Sequence, residues 1–248
     1  MEWTDNAVVL GVRKHGETSV IAELMTRKRG RHLGLVQGGR SRTMRPVLQP
    51  GNSVRATWRA RLDEHLGTYR IEADRLRAAE LMETAHATFA LQTIACHLRL
   101  LPERDGHEGL YETLEVVLES LELPQVAGEL LVRFELAILE ELGFGLDLAR
   151  CAATGGTANL VYVSPKSGRA VSAEAGAPWA DKMLRLPPFL LNTGRAASAA
   201  PLEDLQAGFA LSGYFLHRDV YGPRTTDVPS ERASLIRSLE RAISPERI

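Results

Sequence analysis

The sequence predicts an α+β protein in two parts, a small barrel of five short strands followed by a mostly helical region. Two observations carry this. Apolar residues alternate in short runs as far as about residue 77, and from about residue 78 they recur at helical spacing. Charge divides at nearly the same place. Residues 1–80 hold 15 Lys and Arg against 9 Asp and Glu, whereas the remainder hold 15 against 22. A basic end joined to an acidic body suggests a polyanionic partner for the first part.

The strands are read in order. Ala7–Val12 is a β-branched run, and His15-Gly16-Glu17 turns the chain into a second run over Ser19–Met25. Lys28-Arg29-Gly30 turns it again, and Arg31–Gln37 is a third strand closed by Gly38-Gly39. An irregular stretch and Pro50-Gly51 precede a fourth strand over Asn52–Ala60 and a fifth over Leu66–Ala73. Five short strands in so few residues fit an OB-fold, and an SH3-like barrel would give a similar pattern.

Helices follow over Ala79–Leu101, Gly109–Leu121 and from Pro124 to Leu142. Pro102 stops the first, Pro124 suits the first turn of the third, and Gly143 and Gly145 end it. Residues 146–178 are rich in Gly, Ala, Ser and Thr and read as a loop or small β-ribbon inserted among helices. Pro187-Pro188 and Thr193–Ala200 read as linkers, and Leu202–Val220 and Ser230–Ile243 as final helices. The expected domains are 1–78 and 79–248.

Composition narrows the class. At 44% hydrophobic and 25% charged the chain has the make-up of an ordinary globular protein. It has no apolar run of membrane-spanning length, and its first residues do not look like a secretory leader. Two cysteines, Cys96 and Cys151, are too few for a disulfide framework, so a reducing cytoplasmic setting is expected. No GxxxxGK[ST] loop and no HExxH pair is present, and no nucleophile stands beside a base in a recognisable pattern. The expectation is a binding protein rather than an enzyme, with no catalytic residue.

The strongest chemical signal is the run from Arg27 to Arg45. It holds Arg27, Lys28, Arg29, Arg31, Arg40, Arg42 and Arg45, and no acid. Arginine forks match phosphate geometry, Gly38 and Gly39 allow close backbone approach, and Ser41 and Thr43 add hydroxyls. In the fourth strand Val54, Ala56, Trp58 and Ala60 share one face, and Arg55, Thr57, Arg59 and Arg61 share the other. Parity places Trp58 and Tyr69 with the apolar residues, so they are expected in the core rather than in base stacking. Arg55, Arg59 and Arg61 join the candidate phosphate contacts, with a solvated charged face as the alternative.

The order of these features resembles the RecO family of recombination mediators. Val9-Leu10-Gly11 followed by Gly16-Glu17-Thr18-Ser19 carries the likeness, as does Gln37-Gly38-Gly39-Arg40-Ser41. So do Arg133–Leu139 with Leu142-Gly143-Phe144, and Cys151 with Gly155 and Val163–Gly168. The resemblance implies an N-terminal five-stranded OB-fold, then a mostly α-helical domain with a zinc-ribbon-like insertion at about 146–178. It implies binding of single- and double-stranded DNA and annealing of complementary strands. It further implies partnership with RecR in loading recombinase, recognition of the acidic C-terminal tail of single-strand-binding protein, and a cytoplasmic, nucleoid-associated place. Arg133 is the candidate for the tail. Many relatives carry a four-cysteine zinc module, but the corresponding positions read Cys151-Ala-Ala-Thr154 and Ser172-Ala-Glu-Ala175. One thiolate cannot make a closed tetrahedral site, so the insertion is expected to be degenerate and to hold no zinc.

Two other readings compete. One is an OB-fold RNA-binding protein with a helical interaction module, which a comparison of matched DNA and RNA strands would separate. The other is an enzyme using Ser164 and Lys166 in the Gly/Ser/Thr-rich region, against which the lack of a neighbouring base argues.

Overall fold

The computed structural model describes residues 1–191 and 199–244, and it divides into two compact units, Met1–Glu122 and Leu123–Ile248. The expected linker at Thr193–Ala200 therefore falls mostly outside the described residues.

Unit 1 opens with β1 (Glu2–His15), β2 (Ser19–Thr26), β3 (Gly30–Val36), β4 (Ser53–Arg59) and β5 (Thr68–Arg75), closed into a barrel in the order β1-β2-β3-β5-β4. This is the five-stranded OB-fold. β1 is much longer than its apolar centre, because its polar ends pair with both neighbours. Glu2–Val8 runs antiparallel to β4, and Ala7–His15 to β2, with a bulge at Leu10. Closure is narrowest between β3 and β5, where Leu35 opposite Thr68 is the pair formed.

The interior is filled by alternate residues, including Val9, Ala22, Leu24, Val54, Ala56, Trp58 and Tyr69. Trp58 is fully buried and donates its Nε1–H to the Leu66 carbonyl at 2.9 Å. The Tyr69 hydroxyl meets His32 Nδ1 at 2.9 Å, and Trp3 stacks on Trp58 with ring centroids 5.7 Å apart. The expectation that Trp58 and Tyr69 pack inward holds. Two glycines make room for them. A Cβ on Gly34 would come within 2.4 Å of the Tyr69 ring, and one on Gly67 within 2.3 Å of Trp58.

The stretch between β3 and β4 is not a free loop. It contains a single helical turn, α1 (Met44–Val47), with Leu48 buried beneath it. The Asn52 side-chain amide donates to the carbonyls of Pro46 and Val47, and its oxygen accepts the N–H of Ala78.

Three helices complete unit 1: α2 (Ala78–Leu81), α3 (Ala85–Leu98) and α4 (Glu108–Ser120). The single helix expected over 79–101 is thus broken, since Thr84 is extended and starts α3 afresh. Glu115 of α4 accepts hydrogen bonds from Ser53 at 2.7 Å, Arg77 at 2.9 Å and Tyr111 at 3.2 Å. Burial pushes the Glu115 carboxyl up, but these donors outweigh it and hold it below its ordinary value. Ties of this kind make the barrel and its helices one unit as far as Glu122, although the change of period falls near residue 78.

Unit 2 begins with α5 (Pro124–Glu141), which has Pro124 in its first turn and buries Leu131, Val132, Phe134, Ile138 and Leu139. The region after it forms a three-stranded sheet of β6 (Leu160–Val163), β7 (Ala170–Ser172) and β8 (Leu184–Arg185), with the short helix α6 (Ala173–Gly176). The expected ribbon thus extends to Arg185, and Pro188–Leu190 forms a 3₁₀ turn. Two final helices follow, α7 (Leu202–Phe215) and α8 (Ser230–Ile243), the first continuing into a wide turn over Leu216–Tyr221. Gly128 and Gly208 bring α5 and α7 close, the first against Leu205 and the second against Val132. α8 is locked by a buried ion pair. Arg232 donates to Glu135 at 2.7 and 2.9 Å and to the Phe209 carbonyl at 2.7 Å, and Ser212 also binds Glu135.

Two outcomes follow from these cores. Burial, and then the Arg104 charge, lower the His32 pKa from 6.5 to about 4. The unfolded chain therefore takes up a proton between pH 6.5 and 4 that the folded barrel refuses, so stability falls as pH drops through that window. Denaturation of wild type and His32→Gln at several pH values should show a shallower fall in the variant, and parallel curves would refute the assignment. Arg232→Ala strands the buried Glu135 carboxylate and should cost about 3–5 kcal/mol in denaturant unfolding, much of it recovered in Arg232→Met/Glu135→Leu.

Candidate nucleic-acid interface

The basic run of the sequence becomes two patches in space. Arg27, Lys28 and Arg29 lie in the β2–β3 turn, whereas Arg40, Arg42 and Arg45 follow the far end of β3. Seven strand residues at about 3.3 Å each put the patches roughly 20 Å apart.

Several of these cations are engaged within unit 1. Arg27 pairs with Glu108 and Glu112 of α4, both at 2.8 Å, and these raise its pKa. Arg31 is largely buried, 3.2 Å from Glu23, and Arg99 binds the same carboxylate at 2.8 Å. The Arg29 guanidinium lies over the Trp3 ring at 5.1 Å. Lys28 is exposed, and its main-chain N–H caps Asp5.

The second patch is different. Arg40, Arg42 and Arg45, with Pro46 and Gln49, line a shallow depression of about 740 Å³. All three arginines are exposed and have no ion pair among the described residues. Gly38 turns the chain into this loop at φ +66°. The loop leans on the β1–β2 hairpin, because the Arg40 N–H donates to the Thr18 carbonyl at 3.0 Å. Its guanidinium reaches the carbonyls of Gly16 and Glu17 at 3.4 and 2.5 Å. The hairpin carries Arg13, Lys14 and His15, all exposed, which the sequence reading did not single out. Only the fold could have revealed this proximity, since the hairpin tip that the loop leans on, Gly16–Thr18, lies more than twenty residues before Arg40.

The β4 face is less cationic than its own parity suggests. Arg55, Thr57 and Arg59 do point outward. They sit between Glu2, Thr4 and Asn6 of β1 and Thr68, Arg70 and Glu72 of β5. Arg59 pairs with Glu2 at 3.4 Å and Arg70 with Glu72 at 3.3 Å. Arg61 lies beyond the end of β4 in the β4–β5 connection, so it does not continue that face. A polar cleft of about 450 Å³ runs between Thr4, Gln37, Thr57, Arg59 and Arg70, and the chain reaches Arg40 three residues after Gln37.

In unit 2, Arg133 borders an apolar groove of about 240 Å³ formed by Leu136, Ala137, Leu146, Leu148 and Leu190, with Glu140 at its side. Its guanidinium donates to the Phe189 carbonyl.

The residues at the four cysteine positions do not fit zinc. Among the described residues no group of three or more His, Cys, Asp or Glu side chains could hold a metal ion. Cys151 is instead a buried hydrogen-bond acceptor. Its Sγ receives the Ser172 N–H at 3.3 Å and lies 3.6 Å from Ser172 Oγ, which in turn accepts the Ala175 N–H at 3.4 Å. Thr154 first, and then Ser172, draw the thiol down to about 6. No helix among the described residues is long and apolar enough to cross a membrane.

Comparison with known proteins agrees across the chain. Residues 1–74 match the family model described as recombination protein O N terminal, and residues 80–227 the one described as recombination protein O C terminal. Three similar proteins are each called DNA repair protein RecO. The one from Rhizobium etli is 61% identical over 99% of this chain and 95% of its own length. The one from Mesorhizobium japonicum is 60% identical over 97% and 94%, and that from Brucella abortus 56% identical over 98% of both. With both of its halves matched and near-complete relatives at such identity, this chain belongs to the recombination protein O (RecO) family.

Proposed function

We propose that this protein is a non-enzymatic, DNA-binding mediator of recombinational repair. On this reading it holds single- and double-stranded DNA, anneals complementary strands and, with RecR, helps load recombinase onto strands coated by single-strand-binding protein. Its place of action is the cytoplasm, at the nucleoid. The observation that carries the reading is the depression formed by Arg40, Arg42 and Arg45, where exposed guanidinium groups without ion pairs converge beside a glycine-turned loop. Guanidinium forks suit phosphate, and phosphate contacts need no base pattern, as annealing of any sequence requires. The name DNA repair protein carried by the relatives supports the same role.

The Arg133 groove suits the acidic tail of single-strand-binding protein. Its leucine wall takes apolar side chains and the arginine at its edge a carboxylate.

Each site has its own test. Binding of a labelled single strand to the full chain across a salt series should lose about 1.4 from its log–log slope in Arg42→Ala/Arg45→Ala, from roughly 0.7 per phosphate. No binding by wild type at low salt would defeat the mediator reading. An acidic-tail peptide followed by fluorescence anisotropy should bind Arg133→Ala about tenfold more weakly, the loss of one charge-assisted hydrogen bond. Equal affinity would remove the tail from this groove.

A further inference from the structure

We propose that the tip of the β1–β2 hairpin is a second wall of the arginine site, with Lys14 as a phosphate contact, and that Arg40 is a positioning residue that braces tip against loop. This inference rests on the nucleic-acid reading above and assigns roles within it.

The three loop arginines are not equivalent. Arg40 turns its guanidinium toward the carbonyls of Gly16 and Glu17, while its main-chain N–H holds Thr18. Three successive residues of the tip are thus tied to one residue of the loop. Arg42 and Arg45 make no such side-chain bond and keep their donors toward solvent. A guanidinium already donating along one edge is poorly placed to grip phosphate with the same fork.

The register identifies which tip residue faces the site. Lys14 lies directly opposite Val20, and directly opposed residues of an antiparallel pair share a face. The arginine loop covers that face. A Cβ on Gly39 would stand 2.5 Å from a Val20 methyl, so only glycine lets the loop lie so close. Lys14 is exposed, has no ion pair among the described residues, and lies on the strand face that Gly39 of the arginine loop covers at Val20. Arg13 shows the opposite face, lining a separate hollow with Ile21, Glu23, Leu33 and Arg99. The partner chemistry is the sugar–phosphate chain of a nucleic-acid strand running between tip and loop. A point-charge lysine on one side and two forked arginines on the other would follow it without reading bases.

The test is a salt series with the full chain and a labelled single-stranded oligonucleotide, joined to hydrogen exchange of the tip. Lys14→Ala should lower the slope of log K against log salt by about 0.7, one phosphate. Arg13→Ala, on the other face, should leave it unchanged. Arg40→Ala should weaken binding severalfold with the slope unchanged, and exchange over residues 13–18 should quicken. A slope loss of about 0.7 in Arg40→Ala with unaltered exchange would make Arg40 a contact and overturn its bracing role. An unchanged slope in Lys14→Ala beside normal wild-type binding would overturn the second wall alone. Absence of wild-type binding at low salt would overturn both this assignment and the nucleic-acid reading.

Discussion

The packing of four rings inside the barrel is the constraint on which unit 1 depends. Trp3, His32, Trp58 and Tyr69 fill one end of the barrel, each in edge or stacked contact with at least two others. Rings of that size fit only because Gly34 and Gly67 leave space where any side chain would collide. Once Trp58 and Tyr69 are inside, strict alternation sends Arg55, Arg59 and Arg70 outward. The same packing lets β3 and β5 meet through a single residue pair, because the aromatic cluster rather than a long ladder closes the seam. The arginine loop is set by contacts of its own, with Leu48 buried beneath it, Gly39 against Val20 and Arg40 on the carbonyls of the β1–β2 tip.

The sequence revealed the barrel for the same reason. Parity is a local property, and a strand that buries every second residue shows it in seven letters. Turn residues at 16, 30, 38 and 67 are glycines at positive φ, where other residues are strained, so they too are legible. What could not be read was anything set by distant partners. Ala79–Leu101 has helical spacing throughout, yet Thr84 interrupts it. The period changes near residue 78, yet Arg77, Ser53, Tyr111 and Glu115 bind the next helices into the barrel's own unit. The acid-free run from Arg27 to Arg45 looks like one feature, but a strand of seven residues separates its ends, and the acids that neutralise Arg27 and Arg31 come from α4 and from β2.

Unit 2 solves its stability problem differently at two places. α8 is anchored by a buried ion pair, an interaction that costs desolvation and repays it only when every donor and acceptor is met. Here Arg232 serves Glu135 with two donors and the Phe209 carbonyl with another, and Ser212 completes the carboxylate. The ribbon, at the positions where the family resemblance implies zinc, is organised around Cys151. A sulfur accepting from Ser172 and Thr154 holds the two turns together by hydrogen bonds alone. Such bonds are individually weaker than metal ligation, and the same Ser172 also caps α6 by accepting the Ala175 N–H.

Counting arginines is therefore a poor guide to where a strand of nucleic acid would lie, and sorting them by partner is a better one. Arg27, Arg31, Arg59 and Arg70 pair with carboxylates, Arg29 lies on an indole, and Arg40 holds the hairpin. An arginine bound to a carboxylate has already released its counterions and gains little from a phosphate that must first displace the acid. Arg42 and Arg45 face no such competition, and neither does Lys14 of the β1–β2 hairpin. The residues best placed to track a phosphate chain are those for which the fold itself has no use, and they stand on loops held firmly by residues that it does use. That division follows in part from the barrel: Arg59 is neutralised across the sheet by Glu2 and Arg70 along its own strand by Glu72, Arg55 of β4 has no ion pair among the described residues, and Arg42 and Arg45 stand free at the rim.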